Sequence, residues 1–410
     1  MNRNSLLLVT LTALFTLSGH AQSVDLLIKN GHVIDPKNKI DGIMDIAIQG
    51  NKIVEVAKNI TQSAKKTVDA TGLFVTPGVI DLHGHHFFGT QPNAYLSNSF
   101  TALPPDGFTF RAGVTTAVDA GGAGWRNFDT YKANVIDRSK TRMLAFLNIV
   151  GAGMSGGANE QNLADMDPKL AAMSAKANKD YIVGIKLAHY EGSEWAPTEH
   201  AAEAGKLADI PVMVDFGRSY PPLSLRTLLM EKLRPGDILT HCYGGVPGRE
   251  KVIENGKLQS WALEAQKRGI IFDVGHGGGS FLFEQAIPAI KQGLKPNSIS
   301  TDLHTGSMNG GMKDMLNVMS KVLNCGLTLN EVITASTWSP AQIIKRTEYG
   351  HLSVGALADV AVFSLEKGKF GYIDVGGTKI TGDQKLTCQL TVLDGKVVWD
   401  LNGLAANPYK

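Results

Sequence analysis

Between residues 75 and 306 the sequence returns about every 30 residues to a short apolar run. The runs read GVIDLHGH, VTTAVDAGG, RMLAFLNIV, YIVGIKLA, IPVMVDFG, DILTHCYGG, IIFDVGHGG and SISTDLHTG. None alternates strictly between apolar and polar residues, which fits strands covered on both faces, as parallel strands are. Helix-like segments separate most of them. Eight strand–helix units in about 270 residues match the count and size of a (β/α)8 TIM barrel. A doubly wound open sheet shares the period, so spacing alone leaves both arrangements open.

The ends of the chain read differently. Over 22–74, VDLLIKNGHVID and MDIAIQGNKIVEVA carry Asn-Gly and Gly-Asn pairs of the kind that close hairpins. Over 352–410, GALADVAVFSL and CQLTVLDGKVVWD repeat the pattern with an Asp-Gly turn. The expected α/β architecture is a barrel over 75–351 beside a small composite β-sandwich domain built from both ends. Residues 1–21 read as a signal peptide. Arg3 leads, Leu6 to Leu17 is apolar, and Gly19-His20-Ala21 is a small-residue cleavage site before Gln22. The apolar stretch is too short to span a bilayer stably, so export to the periplasm is expected, with no membrane association afterwards. A net charge of +2 without a basic stripe argues against nucleic acid as a partner. Three cysteines are too few for a disulfide framework.

Most of the runs end in a residue able to bind metal or move protons. His83 and His85 end the first, Lys186 the fourth, Asp215 the fifth, His241 the sixth, His276 the seventh, and Asp302 with His304 the eighth. Strand side chains alternate faces, so His83 and His85 point one way while Gly84 and His86 point the other. Two imidazoles spaced like this can grip one cation. In a barrel the C-terminal strand ends surround one mouth, where the chemistry sits. Singly, each residue is unremarkable, since a strand-end histidine is more often a hydrogen-bonded core residue than a ligand. Lys186 is the exception, because it shares an apolar strand face with Ile182 and Gly184, an awkward place for an ammonium.

In this order PGVIDLHGH, GIKL, LTHCYGG and STDLH resemble the metal-dependent amidohydrolase superfamily, and LLIKNGHVID and GALADVAVF resemble the halves of its small β domain. The bacterial dihydroorotase-like deacetylases, which cleave small N-acyl or O-acyl compounds, are the most similar group. The resemblance makes His83, His85 and Asp302 ligands of one metal. Carboxylated Lys186 would bridge to a second metal held by His241 and Asp215. The two divalent ions would be zinc, with manganese or iron as alternatives, since Asp215 stands where the family has a histidine and makes the site harder. The implied function is hydrolysis of an amide, cyclic amide or acyl ester by a metal-activated hydroxide, with Asp302 as the catalytic proton carrier and His276 and Tyr190 contacting substrate. The partner expected is a small acyl or cyclic amide compound, with homo-oligomerisation open. The segments Phe87–Gly113 and Gly151–Asp167 would shape the pocket, and Arg126 or Arg218 could anchor a carboxylate.

Three other readings compete. A mononuclear deaminase of the same superfamily would not need carboxylated Lys186, and an exported binding protein would carry a degenerate site. A serine esterase would use Ser155 in GMSGG with HGGG at 276–279, but the two motifs fall in the wrong order.

Overall fold

The computed structural model describes residues 23–246 and 248–409; the expected signal peptide lies outside them. The first five strands are β1 (Val24–Asp35), β2 (Ile40–Gln49), β3 (Lys52–Ala57), β4 (Ala64–Asp69) and β5 (Phe74–Pro77). The Gly50-Asn51 pair turns β2 into β3, as expected. The Asn30-Gly31 pair does not close a hairpin. It lies inside β1, where the register with β2 shifts between Ile28 and Gly31. The irregularity lets the first half of β1 pair with β4 and the second half with β5, both in parallel.

The barrel follows: β6 (Val79–Gly84), β7 (Val114–Gly124), β8 (Arg142–Asn148), β9 (Ile182–Leu187), β10 (Val212–Val214) and β11 (Ile238–Leu239). A short hairpin, β12 (Ile253–Glu254) and β13 (Lys257–Leu258), precedes β14 (Ile271–Phe272). Seven strands pair in parallel in the order β6-β7-β8-β9-β10-β11-β14. The eighth run, residues 298–303, closes the ring without forming a regular strand. Ser298 bridges to Asp273 on one side and Leu303 to Gly84 on the other. Val274 N donates to Ser298 O at 3.0 Å and His85 N to Leu303 O at 2.9 Å. These bonds decide for the barrel over the open sheet. Asp302 has a left-handed φ of 52°, which breaks the strand at the point where its carboxylate is presented.

Side chains from six successive strands, among them Ile80, Val118, Phe146, Val183, Met213 and Ile238, form one buried cluster. Helices over Pro168–Ala177, Ala196–Ala208, Ser260–Arg268 and Phe283–Lys291 cover the outside through a second, larger cluster. The first of them has a marked start, where Asp167 accepts from the backbone of Lys169 and Leu170.

Strands β15 (Val360–Ile373), β16 (Lys379–Leu393) and β17 (Lys396–Asp400) return to the first sheet. β15 pairs antiparallel with β5, giving the order β17-β16-β15-β5-β1-β2-β3. Leu26, Ile46 and Val75 pack against Val362, Leu390 and Val392 in its core. Arg142, at the start of β8, ion-pairs with Asp359 and with Asp394 and so ties this sheet to the barrel. Cys242, Cys325 and Cys388 are free and buried. Among the described residues no helix is long and apolar enough to cross a membrane.

Candidate active site

His83, His241 and Asp302, from three strand ends, offer ligand atoms that all lie within 4.8 Å of one another. The protonation of both imidazoles is set from behind. Thr240 Oγ1 donates to Asp273 Oδ2 at 2.8 Å, so it accepts from His83 Nδ1 at 2.9 Å. Asp273 is fixed in turn by the hydroxyls of Ser298 and Ser300, at 2.6 and 2.7 Å. His241 Nδ1 donates to Gly275 O at 2.5 Å. Gly275 has φ 45°, and a Cβ there would lie 2.1 Å from Thr240 Oγ1, so glycine alone fits behind both histidines. With both Nδ1 atoms engaged, both Nε2 atoms face inward, as in metal sites whose ligands are oriented by a second layer of hydrogen bonds.

Inward, these nitrogens meet oxygens. His83 Nε2 is 3.5 Å and His85 Nε2 2.8 Å from Asp302 Oδ1, while His241 Nε2 is 3.3 Å from Asp215 Oδ2. Electron-pair donors facing each other this closely call for a proton or a cation between them. Burial opposes charging His241, yet Asp215 beside it moves its pKa up. Burial also opposes ionisation of Asp302, but His83 and His85 hold its carboxyl far below the usual range. His85 Nδ1 is buried without a partner, so its ring is held through Nε2 alone. The donor set is that of a divalent cation, with imidazole and carboxylate in the proportions such ions take. Gly84 allows the arrangement: a Cβ there would lie 2.5 Å from His86 Nε2, on the face opposite His83 and His85.

Lys186 is fully buried. Its Nζ lies 3.2 Å from His83 Nε2 and 3.6 Å from Met213 Sδ, and among the described residues no carboxylate is within 4.0 Å. Burial pulls its pKa down against the more distant charges of Asp215 and Asp302. An amine is thus held beside an imidazole donor with no counter-ion, the setting in which carboxylation would supply the missing oxygens.

The structure adds residues that had no role assigned from the sequence. His189, with a left-handed φ of 59°, follows β9 and stands between two acids. Its Nδ1 is 2.8 Å from Glu160 Oε2 and its Nε2 3.4 Å from Asp215 Oδ2. Burial disfavours its charge, but Asp215 and Glu160 outweigh that and push its pKa to about 9. Burial works against ionisation of Asp215 too, and His241 and His189 keep it well below the carboxylate range. His189 was visible as a strand-end histidine. Glu160, inside the Gly151–Asp167 segment, carried no pattern at all.

A cavity of about 810 Å³ opens beside these groups, lined by Tyr95 and Thr101 from one long segment and Ser155 and Glu160 from the other, with His189 and Arg218. Two expected substrate contacts are absent from it. His276 is wholly buried, its Nε2 2.9 Å from Lys321 Nζ and its ring stacked 4.6 Å from Phe281. Tyr190 lines a separate small recess beside Asp215 and donates to Glu194. His86 packs behind the site, its Nδ1 3.0 Å from Leu103 O. The Ser155 hydroxyl donates to Ala152 O at 2.8 Å and among the described residues no imidazole bonds it, so the base a serine nucleophile needs is not there.

Comparison with known proteins points to one family. Residues 283–398 match the model of the amidohydrolase family. A deacetylase of Brucella anthropi is 35% identical over 335 residues, which cover 79% of this chain and 80% of that protein. A crystal structure of an adenine deaminase superposes with a TM-score of 0.83 at 30% identity, covering 92% of this chain and all of the other. A dihydroorotase crystal structure gives 0.82 at 30% identity, covering 92% of this chain and 99% of the other.

Proposed function

Because the chain belongs to the amidohydrolase family, we propose that it is a metal-dependent hydrolase acting on the C–N bond of a small acylated compound. The observation that carries this reading is the convergence of His83, His241 and Asp302 with both imidazole Nε2 atoms turned inward by Thr240 and Gly275. The deacetylase name of the Brucella anthropi relative supports an acyl substrate.

His83, His85 and Asp302 would hold one divalent ion, and His241, Asp215 and carboxylated Lys186 a second. When bound, such ions polarise a carbonyl and lower the pKa of water. The chain's own residues do the rest. Asp302, anchored by His85 and the least buried of the three clustered groups, is the carboxylate placed to take a proton and return it to the leaving nitrogen. Thr240 and Asp273 keep His83 in the tautomer that leaves Nε2 a donor of electrons. Asp81, bonded to Thr301 N and Oγ1 at 3.1 and 2.6 Å, locks the irregular segment that carries Asp302 against β6.

Metals per chain, measured on protein purified without added metal, and turnover of a panel of N-acetyl and O-acetyl compounds test this. Expected are two ions per chain, loss of turnover on chelation, and recovery with zinc or manganese plus bicarbonate. Stoichiometric absence of metal, or no turnover by loaded protein, overturns the reading. The likeness to an adenine deaminase keeps a second reading in play. It predicts one ion, and metal content unchanged in Lys186→Ala.

A further inference from the structure

His276 does not line the large cavity, yet its surroundings lead back to the cluster. The ring is wholly buried against Phe281 and makes two hydrogen bonds. Lys321 Nζ, from the helix Met315–Asn324, donates to Nε2 at 2.9 Å, so Nδ1 carries the proton and donates to Gly277 O at 3.0 Å. Burial, with the Lys321 charge adding to it, pushes the His276 pKa down to about 3, so the ring is neutral near pH 7 and this tautomer is fixed. Gly277 is what the ring steadies. It has φ 56°, and a Cβ there would collide with Asp302 Oδ2. Asp302 Oδ1 faces His85 and His83, so the second oxygen of that carboxylate rests against this glycine. The backbone repeats the link: His276 N donates to Ser300 O at 3.2 Å and Gly277 N to Thr301 O at 2.9 Å, the two residues that lead into Asp302.

Lys321 itself is fully buried and has no ion pair among the described residues; besides His276 it donates only to Gly311 O there. Burial and then the nearby Lys313 charge lower its pKa to about 7. A buried amine met by neutral acceptors opposes folding, so packing alone does not account for it. The tip of the β15–β16 hairpin holds its surroundings in place. Val375 N donates to Phe281 O at 3.1 Å, Asp374 Oδ2 accepts from Phe283 N at 3.0 Å, and Gly311 packs so closely on Ile373 O and Asp374 O that no Cβ fits. The small β domain thereby reaches the wall behind the Asp302 carboxylate.

We propose that Lys321 and His276 are positioning residues, which act through the Gly277 turn to hold the Asp302 carboxylate in the orientation that metal binding and proton transfer both require. Neither lines the large cavity, so neither acts by touching substrate there. The proposal rests on the hydrolase reading above and adds a hydrogen-bonded pair from behind the site to the residues on which that reading depends.

Four variants of the full chain test it: Lys321→Met, Lys321→Gln, His276→Phe and the double variant Lys321→Met/His276→Phe. Zinc affinity is measured by competition with a chromophoric chelator, and kcat and KM on the acetyl compounds. In Lys321→Met one of the two zinc ions should bind about ten- to a hundredfold more weakly, and kcat should fall by a similar factor with KM little changed. Lys321→Gln keeps a donor and should recover part of both. His276→Phe fills the same space without nitrogens and should lose as much as Lys321→Met, and the double variant no more than either, because the pair acts as one unit. Unchanged zinc affinity and kcat in Lys321→Met overturn the proposal. So do equal losses in Lys321→Met and Lys321→Gln, or losses that add in the double variant. Should a single variant not fold, the double variant, which leaves no amine without its acceptor, decides: weakened zinc binding supports the pair and unchanged binding overturns it. The zinc measurement needs no turnover. Wild-type protein that takes up no zinc defeats the hydrolase reading and the proposal with it, whereas two ions held equally well by wild type and variants defeat the positioning role alone.

Discussion

Replacing Lys186 by methionine should stabilise the metal-free chain while destroying its activity. The side chain is fully buried, its ammonium has only His83 Nε2 and Met213 Sδ as polar partners among the described residues, and its pKa is lowered chiefly by that burial. The sign follows. The unfolded chain holds this proton up to the ordinary lysine value, whereas the folded chain resists it, so at neutral pH the group opposes folding, and the penalty fades as pH rises toward 10. Exchanging a buried, poorly compensated charge for an apolar side chain of similar length is worth about 1–4 kcal/mol. Asp215 and Asp302 offset part of the penalty here, which places the gain near the middle, at about 2 kcal/mol. For a chain of this size, with an unfolding entropy of about 2 cal/mol/K per residue, that is a rise in Tm of about 2–3 °C. Thermal unfolding in chelator at pH 7 measures it, and the difference should shrink at pH 10. Hydrolysis by the metal-loaded variant should fall about a thousandfold. A variant less stable than wild type by more than about 1 kcal/mol would refute the argument, since it would mean that the amine pays its way by packing or by an unseen counter-charge.

Two further outcomes follow from buried charges. Lys321, whose pKa burial lowers to about 7, makes the unfolded chain bind more protons between pH 7 and 10.5, so stability should climb with pH across that window. Denaturant unfolding of Lys321→Met should show a flatter profile, and an unchanged slope would refute the assignment. Glu160→Gln should lower the His189 pKa from about 9, because that carboxylate bonds Nδ1. The stabilisation from this raised pKa is complete below the ordinary histidine value near 6.5 and disappears as pH passes about 9. NMR titration of the ring that showed no shift in the variant would contradict it.

The barrel was legible because a parallel strand covered on both faces leaves an apolar signature that survives without an alignment. Its closure was not, since residues 298–303 give up regular pairing so that Asp302 can take φ 52°. His83 and His85 were readable from the two-residue period of a strand, and they do meet at one carboxylate. His276 misled for the same reason. Its position at a strand end is real, but Lys321, 45 residues away in sequence, turns it into a buried acceptor. Asn30-Gly31 misled as a turn because the same left-handed preference serves a bulge equally well. Glu160 and Thr240 could not have been picked out at all, because what defines them is the imidazole each one bonds across the fold.

The seam between β5 and β15 has a consequence for biogenesis. Residues 74–77 emerge from the ribosome some 280 residues before the strand that completes their hydrogen bonding. Until synthesis is nearly finished, the first sheet presents an open edge, and any early commitment of that edge to another nascent chain would compete with maturation. Shortening the polypeptide from its tail should therefore harm yield and solubility sooner than it harms the barrel that carries the chemistry.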